Sequence, residues 1–408
     1  MTSTLLSSIS SPDLKSLRTF VRAKIIPASR EHDEQETFPL EIFRMLHAQG
    51  WLQAFLPQEF GGTQATTADM IEIMREIAYG SPGITTSIAA NLLAYVPIIG
   101  HALPEIRESV CRDFLERFSL SSFCFTEPDH GSDVLRIHTT ATRTEDGYVL
   151  NGKKCFVTNG NFAERFVVVA RLVPRSGIEL HPREAFALFL VSGDSAGVAR
   201  GAPYRKLGHR DSNTTDIFLD QVKVPLNHLI GNEGEGLKIA FESIQRSRTL
   251  LSASAVGLAL RAYDLSCDYV NSRSLYDKLL MEQPAIRNAL VQMRTDIEAS
   301  WQLTKVAAAN WDSGDRSFAP SSMAKLYCGQ MAVRVSGQAL ELFGGWGYTS
   351  EFAIEKVCRD AKLYDLAEGP TFVQQTILAR ELLKDYDKAA HAKKPDIRTA
   401  PVSSRKAA

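Results

Sequence analysis

The stretch that decides the fold is Phe123-Cys124-Phe125-Thr126-Glu127-Pro128-Asp129-His130-Gly131-Ser132-Asp133. A related turn, Phe156-Val157-Thr158-Asn159-Gly160, follows it, and in both turns hydroxyls flank aromatic rings. Such a pair can stack a planar heteroaromatic ring while hydroxyls and backbone amides satisfy its edge, and Gly131-Ser132 can bring amides near a phosphate. Two ordinary turns capped by Ser and Thr are the alternative.

The segment around these turns reads as β-rich, from about residue 121 to 235. Apolar runs at 166–172, 186–191 and 217–224 are separated by turn residues, as strands are. Asn151-Gly152 lies between two further apolar runs, and a type I′ turn needs positive φ at both of its central residues. We therefore predict a two-residue hairpin turn at Asn151-Gly152.

Helical periodicity flanks this region on both sides. Before it, an apolar stretch runs from Ile84 to Ile99, and Pro57 to Gly62 breaks the pattern as a loop. After it, apolar stripes from Ile286 to Trp301 and from Tyr327 to Leu342 repeat at steps of three and four residues. The periodicity indicates a helical, then a β, then a helical region.

The predicted fold class is thus α+β, mainly α. We place an N-terminal helical domain at 1–120, a central β domain at 121–235 and a C-terminal helical domain at 236–385. Residues 386–408 are rich in Lys, Ala and Pro, with little apolar surface to bury, and predict a solvated tail.

Composition excludes several classes of protein. Lys and Arg total 46 against 47 Asp and Glu, so the chain carries no electrostatic footprint for nucleic acid or an anionic membrane. Six cysteines without CxxC spacing argue against a zinc site and a secreted disulfide framework. No basic residue precedes Lys15, and no apolar run reads as long enough to span a membrane. We predict a cytoplasmic protein with no metal.

Glu368-Gly369 places a lone carboxylate in an apolar, glycine-marked segment shortly after Phe343-Gly344-Gly345-Trp346-Gly347-Tyr348. Burial would raise the pKa of Glu368 and make its carboxylate a stronger base, which suits removal of a proton next to a carbonyl. A helix N-terminal Glu stabilised by the macrodipole is the alternative.

A third motif, Lys206-Leu207-Gly208-His209-Arg210-Asp211-Ser212, completes an ordered set. With it, the chain resembles the acyl-CoA dehydrogenase flavoprotein family over about residues 15 to 385. The family patterns T-E-P-x-x-G-S-D, L-N-G-x-K-x-[FWY]-[IV]-[TS]-N-G and G-x-R-x-S recur in family order. Four further segments also match the family: Pro57 to Gly62, the glycine strip at 343–348, Arg359-Asp360-Ala361-Lys362 and Glu368-Gly369.

The resemblance implies FAD held between a central β-barrel-like domain and a C-terminal four-helix bundle, commonly in a homotetramer, with a homodimer as the alternative. Ser132 would contact the flavin phosphate and the pantetheine side of the substrate. Arg273 matches the arginine that reaches the flavin phosphates of a neighbouring subunit. The cofactor-binding residues implied are Phe125, Thr126, Gly131, Ser132, Phe156, Val157, Thr158, Arg273, Tyr276, Glu341, Gly344, Gly345, Pro370 and Phe372.

Glu368 matches the catalytic base of the family, which converts an acyl thioester to the trans-2-enoyl thioester. In the family, the backbone N–H of this Glu and a flavin ribityl hydroxyl stabilise charge on the thioester oxygen, and one such donor is worth ~3–4 kcal/mol. Flavin N5 accepts the β-hydride. The electrons would pass to an electron-transfer flavoprotein.

The substrate residues implied are Ser132, Arg136, Arg248 and Gly369. Some relatives carry the base beside the arginine that corresponds to Arg248. Here that neighbour is Ser247, which cannot act as the base. Arg248 is interpreted as shaping the substrate entrance, with a plain surface arginine as the alternative. Ala89 and Ala90 would leave room for a sizeable acyl group.

Four departures from the family pattern fall on the adenosine and pyrophosphate side: Tyr276-Asp277, Pro284, Glu341 and Pro370. The carboxylate of Glu341 would repel a pyrophosphate unless it is paired. Leu135-Arg136 replaces small residues, and the Arg136 cation could meet a CoA phosphate or an acidic carrier protein.

Three alternatives to an acyl-CoA dehydrogenase stay open. One is the same chemistry on a carrier-protein thioester in biosynthesis, and another is a flavin oxidase or monooxygenase on the same fold. The third is a non-catalytic, nucleic-acid-binding flavoprotein, which the near-neutral charge disfavours.

Overall fold

The computed structural model describes residues 13–174 and 181–384, and the predicted tail at 386–408 lies outside them. Its first part is helical. Thr66 shows how one of these helices begins: its hydroxyl accepts from Asp69 N while the Asp69 carboxylate accepts from Thr66 N, which satisfies two free amides. The α-helices are α1, Leu14–Phe20; α2, Ile26–Gln35; α3, Leu40–Ala48; α4, Thr67–Gly80; α5, Pro82–His101; and α6, Pro104–Glu116.

Shorter helical turns link these elements. A π-helical turn, Val21–Ile25, joins α1 to α2. The segment predicted as a loop at Pro57 to Gly62 contains one 3-10 turn, Gln58–Phe60, and ends in Gly61 at a φ of 98°. It packs Phe60 into the core.

Helix α5 is apolar on nearly all sides. By length and composition it would suffice to cross a membrane, so the expectation that no such run exists does not hold for α5. In the structure 67% of its most apolar window is buried inside the protein, where it packs against α4, α7 and the first strand of the sheet. Contact on several sides explains its lack of a polar face.

The middle of the chain forms a sheet in which β1 pairs in parallel with β4 and the other strands follow the order β6-β7-β3-β2-β4-β5-β8. The strands are β1, Leu120–Cys124; β2, Thr140–Arg143; β3, Gly147–Thr158; β4, Ala163–Leu172; β5, Phe186–Ser192; β6, Val198–Arg200; β7, Thr214–Pro225; and β8, Leu229–Ile230.

The predicted hairpin turn at Asn151-Gly152 is wrong. Both residues lie inside β3, and the β2–β3 hairpin turns earlier, where Thr144 N donates to Gly147 O at 2.8 Å. The register of β3 with β7 shifts between Leu150 and Gly152, so the pair forms an irregularity within the strand. A Cβ on Gly152 would come 2.4 Å from Thr139 Oγ1, so glycine is needed there for close approach as well as for its φ of 155°.

Long helices return after the sheet and form the C-terminal part of the fold. Helices α7, α8 and α9 pack on one another, and the shorter α12 packs on α9. The helices are α7, Gly236–Ser272; α8, Pro284–Asp312; α9, Ala319–Phe343; α10, Ile354–Ala361; α11, Leu363–Leu366; and α12, Thr371–Leu382, with a small hairpin of β9, Ser274–Leu275, and β10, Lys278–Leu279, between α7 and α8.

Two apolar cores hold these layers together. Val167 and Val169 of β4 face the larger core, which runs through both helical parts, whereas Phe166 and Val168 face a second core on the other side of the sheet. This alternation is expected of a strand buried on both faces. The predicted stripes of α8 and α9 are confirmed, since Met293 and Met331 are fully buried in the larger core. The predicted α+β, mainly α fold class is confirmed.

Candidate active site

A cleft of about 2360 Å³ lies where the sheet, α5, α7 and the segment before α12 meet. The sheet side contributes the turn after β1 and the end of β3. The C-terminal side contributes α7 and the turn between α11 and α12. Sequence segments far apart in the chain therefore form one site.

The sheet side of the cleft carries both aromatic-hydroxyl turns. Phe156 is 63% exposed, its ring centre lies 5.2 Å from that of Tyr204, and its φ is 54°. Such an exposed ring in a cleft is a ready surface for a planar ligand. The Val157 side chain instead packs into the sheet core. The predicted residues that line this side are Phe125, Thr126, Gly131, Ser132, Phe156 and Thr158.

The C-terminal side of the same cleft carries the candidate base. Glu368, Gly369, Pro370 and Phe372 line it, together with Arg248 of α7. The structure thus brings the C-terminal carboxylate and the two aromatic-hydroxyl turns to a single cavity. The alternative for Glu368, a helix N-terminal residue with no other role, does not explain this placement.

Glu368 is held in an uncommon conformation. Its φ is 54° and that of Gly369 is 94°, so two consecutive residues are left-handed. The Ser247 hydroxyl donates to Glu368 Oε1, while Oε2 is buried without a protein partner among the described residues. Strained backbone of this kind clusters at functional sites. The carboxylate therefore has one oxygen fixed and one free to receive a proton.

The surroundings of Glu368 adjust its proton affinity. Burial raises its pKa to about 7, against the Ser247 hydrogen bond and the positive charges of Arg248 and Lys325, which lower it. A base with a pKa near neutrality is partly ionised at pH 7 and still basic enough to take a proton.

Three side chains hold the backbone of the Glu368–Gly369 turn. Arg248 Nε donates to Glu368 O at 3.1 Å, and Gln374 Nε2 donates to the same oxygen at 3.0 Å and to Gly369 O at 2.9 Å. Lys325 Nζ donates to Gly369 O at 2.7 Å. Arg248 is only 4% exposed, so the alternative of a plain surface arginine is wrong.

A buried ion pair supports the sheet side. Lys154 Nζ lies 2.8 Å from Glu127 Oε1 and donates to Phe125 O at 3.1 Å, and the Lys154 side chain is fully buried. Glu127 also accepts from the backbone amides of His138 and Thr139. Burial alone would raise the pKa of Glu127, but the Lys154 charge holds it below its usual value. This pair fixes the turn that carries Phe125.

The third motif joins the parts of the chain. His209 N donates to Asp360 Oδ1 at 2.6 Å, and His209 Nε2 lies 2.9 Å from Asp360 O, a carbonyl that can only accept. The Asp211 carboxylate accepts from Ser29 and Ser81 of the N-terminal helices. The motif therefore connects the two helical parts beside the cleft.

A further set of predicted residues lies outside this cleft on the protein surface. Tyr276 is 87% exposed at the β9–β10 turn, where Tyr276 and Asp277 have φ of 52° and 59°. Glu341, Gly344 and Gly345 are also exposed. The structure does not bring Arg273, Tyr276, Glu341, Gly344 and Gly345 to the cleft of their own chain.

Arg136 lies at the rim and does not line the cleft itself. Its side chain is 76% exposed and its Nε is 3.4 Å from Asp133 Oδ2. Its neighbour Leu135 lines the cleft. This placement leaves the Arg136 cation available to a group bound at the rim.

Sequence reasoning missed three residues around Glu368. Ser247 was considered only as an unsuitable base, and Lys325 and Gln374 were not singled out. The Lys325 side chain is 4% exposed, and Gln374 is fully buried. The one signal available was a lysine beside the apolar stripe of α9, since Lys325 precedes Tyr327 by two residues.

Comparison with known proteins identifies the class to which this fold and site belong. Models of the acyl-CoA dehydrogenase N-terminal, middle and C-terminal domains match residues 14–116, 122–222 and 234–383. The chain therefore belongs to the acyl-CoA dehydrogenase family, whose members are FAD-dependent oxidoreductases acting on CH–CH bonds. The predicted family, enzyme class and cofactor are confirmed.

Individual relatives agree with this assignment. Cyclohexane-1-carbonyl-CoA dehydrogenase of Geobacter metallireducens is 32% identical over 372 residues, 91% of this chain and 96% of that protein. Butyryl-CoA dehydrogenase from Megasphaera elsdenii superimposes with a TM-score of 0.87 at 28% identity, over 93% of this chain and 98% of that one. The prolyl acyl carrier protein oxidase AnaB does so with a TM-score of 0.85 at 25% identity, over 90% and 97%.

Proposed function

We propose that this protein dehydrogenates an acyl-CoA to the trans-2-enoyl thioester, with Glu368 as the base. One observation carries the proposal: the Glu368 carboxylate lines the same cleft as Phe125, Thr126, Phe156 and Thr158. A base and a surface for a planar redox cofactor in one cleft are the two elements that removal of a proton and a hydride from adjacent carbons requires.

The residues on the sheet side fit FAD. An exposed Phe156 ring offers a stacking surface, and the hydroxyls of Thr126 and Thr158 can satisfy polar groups at the edge of a flavin. Gly131 and Ser132, both cleft residues, can approach its phosphates with their backbone amides. When bound, FAD supplies the hydride acceptor.

Glu368 would take the α-proton through Oε2. Ser247 occupies Oε1, so Oε2 is the oxygen free to accept it. The carbonyl oxygen of Glu368 accepts from Arg248 and Gln374, and that of Gly369 accepts from Gln374 and Lys325, which keeps the turn from rotating during the transfer. Correct alignment of a base with its proton is a large part of its effect.

The acyl group would lie between one face of α5 and one face of α7. Thr86, Ala90 and Leu93 line the cleft from α5, spaced at four and three residues, and Phe241 and Ile244 line it from α7. Phe241 lies edge-on to Phe125, with ring centres 6.2 Å apart. An apolar wall with a small residue opposite aromatic rings suits an uncharged, sizeable acyl group.

The carrier and the electron acceptor are further parts of the proposal. The Geobacter and Megasphaera relatives are named for CoA thioesters, whereas AnaB is named for a carrier-protein thioester. We favour CoA, with an electron-transfer flavoprotein as the acceptor and the cytoplasm as the location.

Reversing the charge of Arg136 tests its role at the rim of the cleft. Unchanged kinetics with both CoA and carrier-protein thioesters would show that Arg136 has no role in binding the substrate.

Assembly would complete the cofactor site. We propose a homotetramer in which Arg273, Tyr276, Glu341, Gly344 and Gly345 reach the FAD of a neighbouring subunit, because they are exposed and lie outside their own cleft. We retain domain limits near residues 120, 235 and 385. Light scattering tests the assembly: a monomer with full FAD content would contradict it.

Anaerobic flavin reduction tests the function directly. The purified protein is mixed with a panel of CoA and carrier-protein thioesters of different acyl size, and the flavin absorbance is followed. Bleaching by at least one CoA thioester, with the enoyl product detected, is expected. No bleaching with any thioester would overturn the proposal, and rapid peroxide formation in air would indicate an oxidase instead.

Replacing Ser247 by Ala should move the pH dependence of flavin reduction. The Ser247 hydroxyl lowers the pKa of Glu368, so its removal raises that pKa above about 7, and less of the base is ionised at neutral pH. The rate should fall several-fold at pH 7 and recover at pH 9, since one pKa unit is a tenfold change in the ionised fraction. Stopped-flow reduction across pH measures this.

Ser266→Ala is the matched control, because within the described residues this buried α7 hydroxyl bonds only to its own helix, at Ala262 O, 2.8 Å away. It should leave the pH profile in place. An identical profile for Ser247→Ala and the native protein would show that the hydroxyl does not act on the base.

A further inference from the structure

Lys325 lies directly behind the turn that carries the candidate base. It sits on α9, and its Nζ donates to Gly369 O at 2.7 Å and to Asp365 O at 3.3 Å. Gly329, one turn later on the same face of α9, makes this reach possible: a Cβ there would come 2.5 Å from Tyr364 O, so only glycine lets α9 approach α11 so closely. The lysine thus ties the end of α11 to the start of α12.

The surroundings of this ammonium group are unusual for a lysine. Its side chain is almost fully buried, and its hydrogen bonds in the described part of the chain go to neutral carbonyls. A buried charge without a bonded counter-charge is costly, and a methionine could fill the same space without that cost. Retaining the charge therefore calls for a partner that benefits from it, and Glu368 is the residue next to the carbonyl it holds.

We propose that Lys325 is a positioning residue for the reaction, which holds the Glu368–Gly369 turn and supplies the positive charge that keeps the Glu368 carboxylate ionised. This inference rests on the proposed function of Glu368. It assigns to Lys325 two effects that can be separated, one on the geometry of the turn and one on the charge of the base.

The charged groups around Glu368 determine in which direction its pKa moves when the charge of Lys325 is removed. Arg248 of α7 and Lys325 of α9 both favour the ionised carboxylate, and the negative charge of Asp365 of α11 favours protonated Lys325. Burial lowers the pKa of Lys325 to about 8, opposed by the negative charge of Glu368. Lys325 is therefore mostly protonated at pH 7, and removing its charge must raise the pKa of Glu368.

The test compares Lys325→Met with Lys325→Arg. Lys325→Met should shift the acid limb of kcat/KM to higher pH by about one unit, which lowers the rate at pH 7 about fivefold and restores it by pH 9. Lys325→Arg keeps the charge and should keep the native profile. FAD content and thermal stability, measured alongside, show whether each variant is folded.

A second readout needs no turnover. Infrared difference spectroscopy of the resting protein follows the protonated carboxyl band of Glu368, assigned by its loss in Glu368→Gln. This band should persist to higher pH in Lys325→Met. A folded Lys325→Met protein with an unshifted band and an unshifted pH profile would overturn the inference, because the charge of Lys325 would then have no effect on Glu368. Failure of the native protein to oxidise any thioester would overturn the proposed function alone.

Discussion

Glu368→Gln is expected to retain FAD and lose thioester-driven flavin reduction by roughly 10²–10⁴-fold, the usual contribution of a general base. The amide keeps nearly the same shape, and Ser247 can still bond to its oxygen. It cannot, however, accept a proton at the free position that Oε2 occupies in the native protein. Stopped-flow absorbance under anaerobic conditions measures the loss.

The exposed carboxylate Glu351, outside the cleft, supplies the matched control. Glu351→Gln should reduce its flavin at the native rate. Substrate bleaching that survives in Glu368→Gln would mean that another group removes the proton, and the assignment of the base would then be wrong.

Lys154→Met is expected to have the largest effect on stability. It leaves the Glu127 carboxylate buried and without its counter-charge, and breaking a buried pair in this way costs about 3–5 kcal/mol. It also removes the hydrogen bond to Phe125 O, which fixes the turn on the sheet side of the cleft. We therefore expect a lower Tm and a lower FAD content, measured by thermal denaturation and by the ratio of flavin to protein absorbance.

The neighbouring residue Lys153 supplies the control for Lys154→Met. Lys153 pairs with Asp216 at 2.8 Å but is 40% exposed, so Lys153→Met should change the free energy of unfolding by less than about 1 kcal/mol. Combining Lys154→Met with Glu127→Gln should recover part of the loss, because no unpaired charge then remains buried. Equal Tm values for Lys153→Met and Lys154→Met would refute the structural role of the buried pair.

The outcome at Asn151-Gly152 shows where local sequence signals fail. The pair has the residues of a tight turn, yet Asn151 Oδ1 accepts from Gln221 N at 2.8 Å and the pair sits within a strand. The chain turns instead near Thr144. The close approach of Thr139 explains why residue 152 is a glycine. That contact depends on how the strands pair in the sheet.

Motifs in family order predicted Glu368 and the two aromatic-hydroxyl turns as site residues, because the proposed chemistry needs those residue types. The supporting residues could not be found in this way. Ser247, Lys325 and Gln374 come from three different helices, and each is an ordinary residue on its own. Their role appears only when their donors are seen on one carboxylate and two carbonyls.

The sequence by itself determined the order of helical and β regions and the family, and it predicted Glu368 as the base. Periodicity and motif spacing are properties of the chain, so they can be read without coordinates. Only the tertiary structure decided that Glu368 lines the same cleft as the aromatic-hydroxyl turns, that Arg248 is buried and that Lys325 bonds to the Glu368–Gly369 turn. Burial, hydrogen bonding and pKa depend on groups that are distant in sequence, and folding alone brings those groups into contact.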